Sequence, residues 1–133
     1  MNVPALFRIT SLAVFIQIAL GGLVTFEVLP FKVSNFDLVT LLHVINGIVV
    51  FILVVVAATA ALRSKPSHKG LSELSGAMII VLILQVTIGL TMVAVIDSAV
   101  LSWIHLLIGV LIYAMTLVGR SFAMLRDQAA GIK

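Results

Sequence analysis

The chain has 133 residues, of which 62% are hydrophobic and 10% charged, whereas soluble domains have roughly 45–50% apolar and about 25% charged residues. This composition, which includes no cysteine, excludes a soluble domain, a disulfide scaffold and a thiolate metal site. The net charge of +3 comes from basic residues that flank apolar segments, which indicates membrane topology and not nucleic-acid binding, so we expect one integral membrane domain over residues 1–133.

Four uncharged segments follow one another along the chain, and each can cross a bilayer, which takes about 20 residues within a range of about 17–25. They cover residues 9–26, 38–62, 74–96 and 98–119. Turn-forming residues such as Pro30, Pro66 and Asp97 separate them. We predict an all-α membrane four-helix bundle, with helices over approximately residues 8–29, 37–63, 74–96 and 98–121.

The basic residues predict the orientation of this bundle. All Lys and Arg residues except Lys32 fall on the side that also holds both termini. Cytoplasmic loops of membrane proteins carry an excess of Lys and Arg. Both termini are therefore expected to be cytoplasmic, in a multi-pass protein of the cytoplasmic membrane.

Two histidines lie inside uncharged segments and share a motif. The motifs are Thr40-x-x-His43-x-x-x-Gly47 and Ser102-x-x-His105-x-x-x-Gly109. An ionisable side chain within a membrane helix is costly and by default indicates a functional site. At about 1.5 Å per residue, both histidines lie roughly 9–12 Å below the outer boundary, where they can face each other and share a ligand.

The preceding helices also share a motif, Gln17-x-x-x-Gly21 in the first and Gln85-x-x-x-Gly89 in the third. The chain can thus be divided into two helix hairpins of the same pattern. We interpret this as an internal duplication with a pseudo-twofold axis along the membrane normal. Such an axis places His43 opposite His105.

The polar residues and glycines each have a structural interpretation. Glycines in membrane helices permit close helix packing, Gln17 and Gln85 can hydrogen-bond across helices, and Thr40 and Ser102 can donate to carbonyls one turn back in their own helices. The pair of histidines at equal depth is harder to explain in that way.

The ligand that fits all these residues is haem, because two neutral imidazoles can complete its octahedral iron. Two histidines alone are a poor zinc or copper site. Gly47 and Gly109 then leave space for the macrocycle edge, with Gly21 and Gly89 at about the same depth. Thr40 and Ser102 can accept the second imidazole N–H, and Lys32 is the candidate partner of a propionate.

At these residues the sequence resembles the haem A synthases. The resemblance covers most of the chain and rests on residues 16–24, His43, residues 84–89 and residues 105–111. It implies that His43 and His105 are axial ligands of one haem, of the b type or haem O or A as substrate or product. It also implies that a homodimer could rebuild the eight-helix form of larger members.

The chain departs from that family beside the first histidine. The substrate-handling half of those enzymes usually carries a Glu-x-x-His-Arg pattern, whereas this chain has Thr40 and Val44 at the acidic and basic positions. Glu27, near the outer end of the first helix, is the remaining candidate catalytic acid, although a solvated position at the helix end also explains it.

Three functions therefore remain open from the sequence. The chain could oxidise haem O to haem A in the biogenesis of a terminal oxidase. It could instead be a non-enzymatic b-type cytochrome or haem carrier that exchanges electrons with a redox partner, which the altered pattern favours. A haem-free membrane scaffold is the third alternative and leaves the histidine pair unexplained.

Overall fold

A computed structural model describes residues 2–25, 32–33, 36–94 and 98–131 of the chain. It contains four long helices: α1 (Val3–Thr25), α2 (Leu38–Arg63), α3 (Lys69–Ala94) and α4 (Ala99–Ala129). Two short strands, β1 (Lys32–Val33) and β2 (Phe36–Asp37), form an antiparallel ladder before α2. The predicted four-helix architecture is confirmed, and the ladder adds a small element that the sequence did not suggest.

Three helices extend beyond their predicted bounds. The sequence predicts a start near residue 8 for α1, a start near residue 74 for α3 and an end near residue 121 for α4, whereas α1 begins at Val3, α3 begins at Lys69 and α4 ends at Ala129. The extensions of α3 and α4 carry charged residues, among them Glu73 and Arg126. A helix that emerges from a bilayer needs no apolar residues to continue, so counting uncharged residues finds the membrane-crossing part and misses the rest.

The helices are arranged as a square. Helix α1 packs against α2 and α4, and α3 packs against the same two helices. Neighbours are antiparallel: Thr10 of α1 approaches Leu53 of α2, and Gly70 of α3 approaches Phe122 of α4. Helices α2 and α4, which carry the two intramembrane histidines, therefore occupy one diagonal of the square.

The buried core lies at one end of the bundle. We call this the termini end, because α1 and α3 begin there and α2 and α4 end there; the opposite end is the histidine end. The largest fully buried apolar side chains are Phe7, Val54, Leu71 and Met78, which lie towards the termini end, and Ile112, near the middle of α4. The buried apolar cluster does not extend to the histidine end within the described part of the chain.

The outer surface of the bundle is apolar. All four helices are long and apolar enough to cross a membrane. Large hydrophobic side chains such as Leu12, Ile80, Leu90 and Leu107 are more than half exposed on this surface. Side chains of this kind are stable in contact with lipid acyl chains, and helices satisfy their own backbone hydrogen bonds there. The chain is therefore built as a multi-pass membrane protein.

Candidate functional site

His43 is held against α1 by a glutamine and a glycine. The imidazole is half-buried, and Nε2 of Gln17 lies 3.2 Å from both of its ring nitrogens. A Cβ built on Gly21 would lie 3.0 Å from Cε1 of the ring. Real Cβ atoms are rarely so close to another heavy atom, so any larger residue at this position would require the imidazole to shift.

The contact between α1 and α2 is reciprocal. While the His43 ring of α2 lies against Gly21 of α1, the Gln17 side chain of α1 lies against Gly47 of α2. A Cβ on Gly47 would be 3.1 Å from Nε2 of Gln17. Each helix thus receives the polar side chain of the other at a glycine, and the two helices approach closely around their hydrogen bond.

The same arrangement recurs between α3 and α4. Nε2 of Gln85 lies 3.2 Å from Nε2 of His105. A Cβ on Gly89 would be 2.9 Å from Cε1 of His105, and a Cβ on Gly109 would be 3.4 Å from Nε2 of Gln85. Both Gln-x-x-x-Gly and His-x-x-x-Gly motifs therefore interlock in the same way, and the glutamines hydrogen-bond across helices as the structural interpretation predicts.

Asn46 makes the two hairpins unequal. Its Nδ2 donates to the Ala13 carbonyl at 3.1 Å and to Oε1 of Gln17 at 2.7 Å. Oε1 of Gln17 therefore accepts, and its Nε2 donates to a lone pair on the His43 ring. The position equivalent to Asn46 in the second hairpin, three residues after its histidine, holds Ile108, which offers no such bond.

The second hairpin consequently contains unpaired polar atoms. Oε1 of Gln85 and Nδ1 of His105 are buried and have no hydrogen-bond partner within the described part of the chain. Buried polar groups are nearly always satisfied, and leaving one unsatisfied costs roughly 1–3 kcal/mol. One atom is the amide oxygen of Gln85, which can accept a hydrogen bond, and the other is a ring nitrogen of His105. This Gln–His pair can therefore make further hydrogen bonds or bind a ligand.

The two imidazoles face each other inside the bundle. Their ring centroids are 6.4 Å apart, and the ring planes are inclined by 62°. Because α2 and α4 lie on a diagonal of the square, the rings approach from opposite sides. Opposed imidazoles can ligate a shared metal, whereas the described His, Asp and Glu side chains include no group of three that could hold an ion by themselves.

The remaining predicted site residues have varied positions. The Ser102 hydroxyl donates to the Ser98 carbonyl at 3.2 Å, so Gln85, and not Ser102, is the hydrogen-bond partner of His105. Gly47 and Gly109 lie against glutamines and not against an open space for a macrocycle. Thr40 lies in the first turn of α2, one helical turn before His43.

Two of the predictions fall on residues whose side chains the structure does not describe. Glu27, the candidate acid, lies outside the described residues, and Lys32, the candidate propionate partner, is described only as part of β1. Their proximity to the histidines stays a prediction.

Sequence reasoning missed Asn46. An asparagine in an otherwise uncharged membrane helix is itself a signal of a buried hydrogen bond, because polar side chains there need partners. The repeated motifs contain only residues that both hairpins share. Asn46 is not among them, because the equivalent residue of the second hairpin is Ile108.

Comparison of the chain with protein-family models, with curated proteins and with solved structures finds no match.

Proposed function

We propose that this chain is a membrane haem protein of the b type, with His43 and His105 as the two axial ligands of one iron. The observation that carries the proposal is the 6.4 Å separation of the two ring centroids across the bundle. When bound, the iron would supply one-electron redox chemistry. The chain's own residues position the two imidazoles on opposite sides of the group and shield it within the membrane.

The separation of the rings suits two ligands on one metal. A metal–imidazole nitrogen bond is about 2 Å long, so two imidazoles on opposite sides of one ion have centroids roughly 6–6.5 Å apart. Direct packing of two imidazoles or their hydrogen bonding to each other would not require this spacing. Ring inclination is not restrictive, because each imidazole can rotate about its bond to the metal.

The hydrogen bonds around the rings show which nitrogen lone pairs iron would take. The Gln17 amide donates to the lone pair of His43, and iron would replace that donor, because a neutral imidazole has only one such lone pair. A ligand that takes Nε2 of His105 fixes the ring proton on Nδ1, and ligating histidines normally donate that proton to an acceptor. Oε1 of Gln85 is unpaired and could accept that proton once the amide, whose Nε2 now contacts Nε2 of His105, gives up this contact to the metal.

The burial pattern supports the same proposal. The buried apolar cluster occupies the termini end, whereas both histidines are half-buried. A large flat apolar ligand between α2 and α4 would bury surface at the end where the helices themselves bury little. Burial of apolar area is the main free energy available for holding such a group.

Electron transfer or haem carriage is better supported than haem oxidation. Thr40 stands where the haem A synthase pattern has its glutamate. We therefore propose that the histidine pair binds haem without converting it.

Optical spectroscopy of the purified full chain tests haem binding. Protein isolated from membranes, or supplied with haemin in detergent, should show the spectrum of low-spin, six-coordinate iron. His43→Ala and His105→Ala should each abolish that spectrum. His68→Ala is the matched control: His68 lies between α2 and α3, where its Nδ1 accepts from the Leu71 amide, so this variant should retain the wild-type spectrum.

Two results would contradict the proposal. Protein that remains colourless with added haemin would reject it, as would loss of colour in His68→Ala to the same extent as in the other two variants. Analysis of the extracted pigment tests the enzymatic alternative. If the chain is co-expressed with a source of haem O and a formyl haem is recovered, the protein oxidises haem and is a synthase, not a carrier.

We further propose that the termini end is cytoplasmic. Arg8, Arg63, Lys65, Lys69 and Arg120 all belong to that end of the helices, as the excess of basic residues on the cytoplasmic side predicts. The chain has no cysteine, so single cysteines can report the orientation. Ser67→Cys should be protected from a membrane-impermeant maleimide in intact cells, whereas labelling of this variant would reverse the assignment.

A further inference from the structure

A cavity lies at the termini end, far along the bundle from the histidines. Its volume is about 720 Å³, within the range of about 300–1,000 Å³ typical of small-ligand sites. The start of α1, the end of α2 with the two residues that follow it, and the end of α4 line it. The proposed haem ligation involves none of its lining residues.

The cavity lining is predominantly cationic. Arg63, Lys65 and Arg126 contribute positive charges, and Asp127 contributes the one negative charge of the lining. Helix α1 also begins here at Val3, and the N-terminal end of a helix carries a partial positive charge. The electrostatic environment therefore favours an anion.

Arg126 is the residue that points to a ligand. Only 6% of it is exposed, and it contributes to the cavity wall. Its Nε and Nη2 donate to Oδ1 of the adjacent Asp127, whereas its Nη1 has no hydrogen-bond partner among the described residues. A buried guanidinium with an unused donor is costly unless something accepts from it.

The hydroxyl groups of the lining already donate within the protein. Oγ1 of Thr59 donates to the Val55 carbonyl, and Oγ of Ser64 donates to the Ala61 carbonyl, so the charged side chains of the lining are the groups that would hold an anion. Arg63 and Lys65 are exposed at the mouth of the cavity. Arginine and lysine at this position can contact the oxygens of a phosphate.

We propose that this cavity binds a phosphate group, with Arg126 at its inner wall and Arg63 and Lys65 at its mouth. The group can come from two sources: the headgroup of an acidic phospholipid or free inorganic phosphate. The cavity lies where α2 leaves its uncharged segment, at the level where lipid headgroups lie, and basic pockets between membrane helices are known to bind such headgroups.

The experiment compares two double variants of the full chain that lose the same charge from the same end. Arg63→Gln/Lys65→Gln removes two cations of the cavity mouth. Arg8→Gln/Lys69→Gln is the matched control, because neither residue lines the cavity. Each protein is reconstituted in phosphatidylcholine nanodiscs with and without phosphatidylglycerol, and the lipid that the protein retains is counted by native mass spectrometry. In a separate assay, inorganic phosphate is added to the protein in detergent, and its binding is measured as a rise in the melting temperature.

The wild type and the control should bind the anion, and the cavity variant should bind it about 30-fold more weakly, since each basic residue near an anionic surface contributes roughly fivefold. Retention of phosphatidylglycerol without an effect of phosphate identifies the lipid headgroup as the source, and stabilisation by phosphate alone identifies the free anion. Binding of neither probe by the wild type, or equal binding by the two double variants, would overturn the proposal.

Arg126→Gln provides a second measurement. It should lose anion binding while the helical content, measured by circular dichroism, is retained, because Gln keeps a donor and removes the buried charge. Wild-type binding by a folded Arg126→Gln variant would remove this residue from the site and overturn its assigned role. If that variant does not fold, the comparison of the two double variants, whose substituted residues are at the surface or the mouth, still decides the proposal.

Discussion

His105 lies against Gly89 so closely that a Cβ on the glycine would be 2.9 Å from Cε1 of the ring, and His43 bears the same relationship to Gly21 at 3.0 Å. Each histidine is thus positioned by the absence of a side chain on the neighbouring helix. A methyl group at either glycine would crowd the imidazole, which would have to move away from the neighbouring helix.

Gly21→Ala and Gly89→Ala should therefore perturb the histidine pair without unfolding the helices. Overpacking typically costs about 1–3 kcal/mol, and each 1.4 kcal/mol is a factor of ten in affinity, so haem binding should weaken by about tenfold. Gly22→Ala is the control, since a Cβ there meets nothing within 4 Å. Unchanged affinity in both glycine variants would show that the rings can shift freely.

The two glutamines should contribute unequally to stability. Gln17 exchanges hydrogen bonds with both His43 and Asn46, whereas Gln85 bonds to His105 and leaves its Oε1 unpaired. Gln17→Leu should lower the free energy of unfolding by about 1–3 kcal/mol, and Gln85→Leu by less, because part of the Gln85 amide is unsatisfied already. Melting curves of the haem-free proteins measure the difference; a larger loss with Gln85→Leu would contradict it.

Asn46→Leu should destabilise the first hairpin. The substitution leaves the Ala13 carbonyl without its side-chain donor and Oε1 of Gln17 without its partner, which should cost about 1–3 kcal/mol. Ile45→Leu, at an exposed neighbouring position, serves as the control and should be nearly neutral. Asn46→Leu should also broaden the optical bands of bound haem, since Gln17 would no longer be held in one orientation at His43.

The core at the termini end should be sensitive to one added methyl group. Phe7 is fully buried, and a Cβ on Gly119 would lie 2.5 Å from its Cε1 and 2.8 Å from its Cζ. Gly119→Ala should therefore lower the free energy of unfolding by about 1–3 kcal/mol. A double-mutant cycle with Phe7→Leu should recover part of the loss, because the smaller side chain vacates that space.

Gly76→Ala is the matched control for this core substitution, because a Cβ at Gly76 meets nothing within 4 Å. It should be neutral or slightly stabilising, as alanine is favoured over glycine in helices by up to about 1 kcal/mol. Equal destabilisation by Gly76→Ala and Gly119→Ala would attribute the effect to helix backbone and not to the contact with Phe7.

Much of the fold could be predicted from the chain because the bilayer imposes simple requirements. Uncharged runs of sufficient length must be helices, since only intrahelical hydrogen bonds satisfy the backbone in lipid. Short connections make sequential helices antiparallel neighbours. The limits of α3 and α4 could not be predicted in the same way, because outside the bilayer helix ends depend on local interactions and not on hydropathy.

The histidines and glutamines were identifiable for the same reason, since polar side chains in an uncharged segment stand out and need partners. Their pairing was not determined by the sequence. Ser102 and Gln85 were both possible partners of His105, and only the packing of α3 against α4 showed that Gln85 reaches the ring. The role of Gly89 likewise depends on which side chain of the facing helix lies against it.

The sequence by itself determined that the chain has four segments able to cross a membrane and a histidine within two of them, because hydropathy and the cost of burying polar groups are properties of local composition. Only the tertiary structure decided that α2 and α4 lie on a diagonal and bring His43 within 6.4 Å of His105. It also decided that Asn46 supports one hairpin alone and that Arg126 is buried at a cationic cavity. Such relationships depend on contacts between segments distant in the chain, which no local pattern specifies.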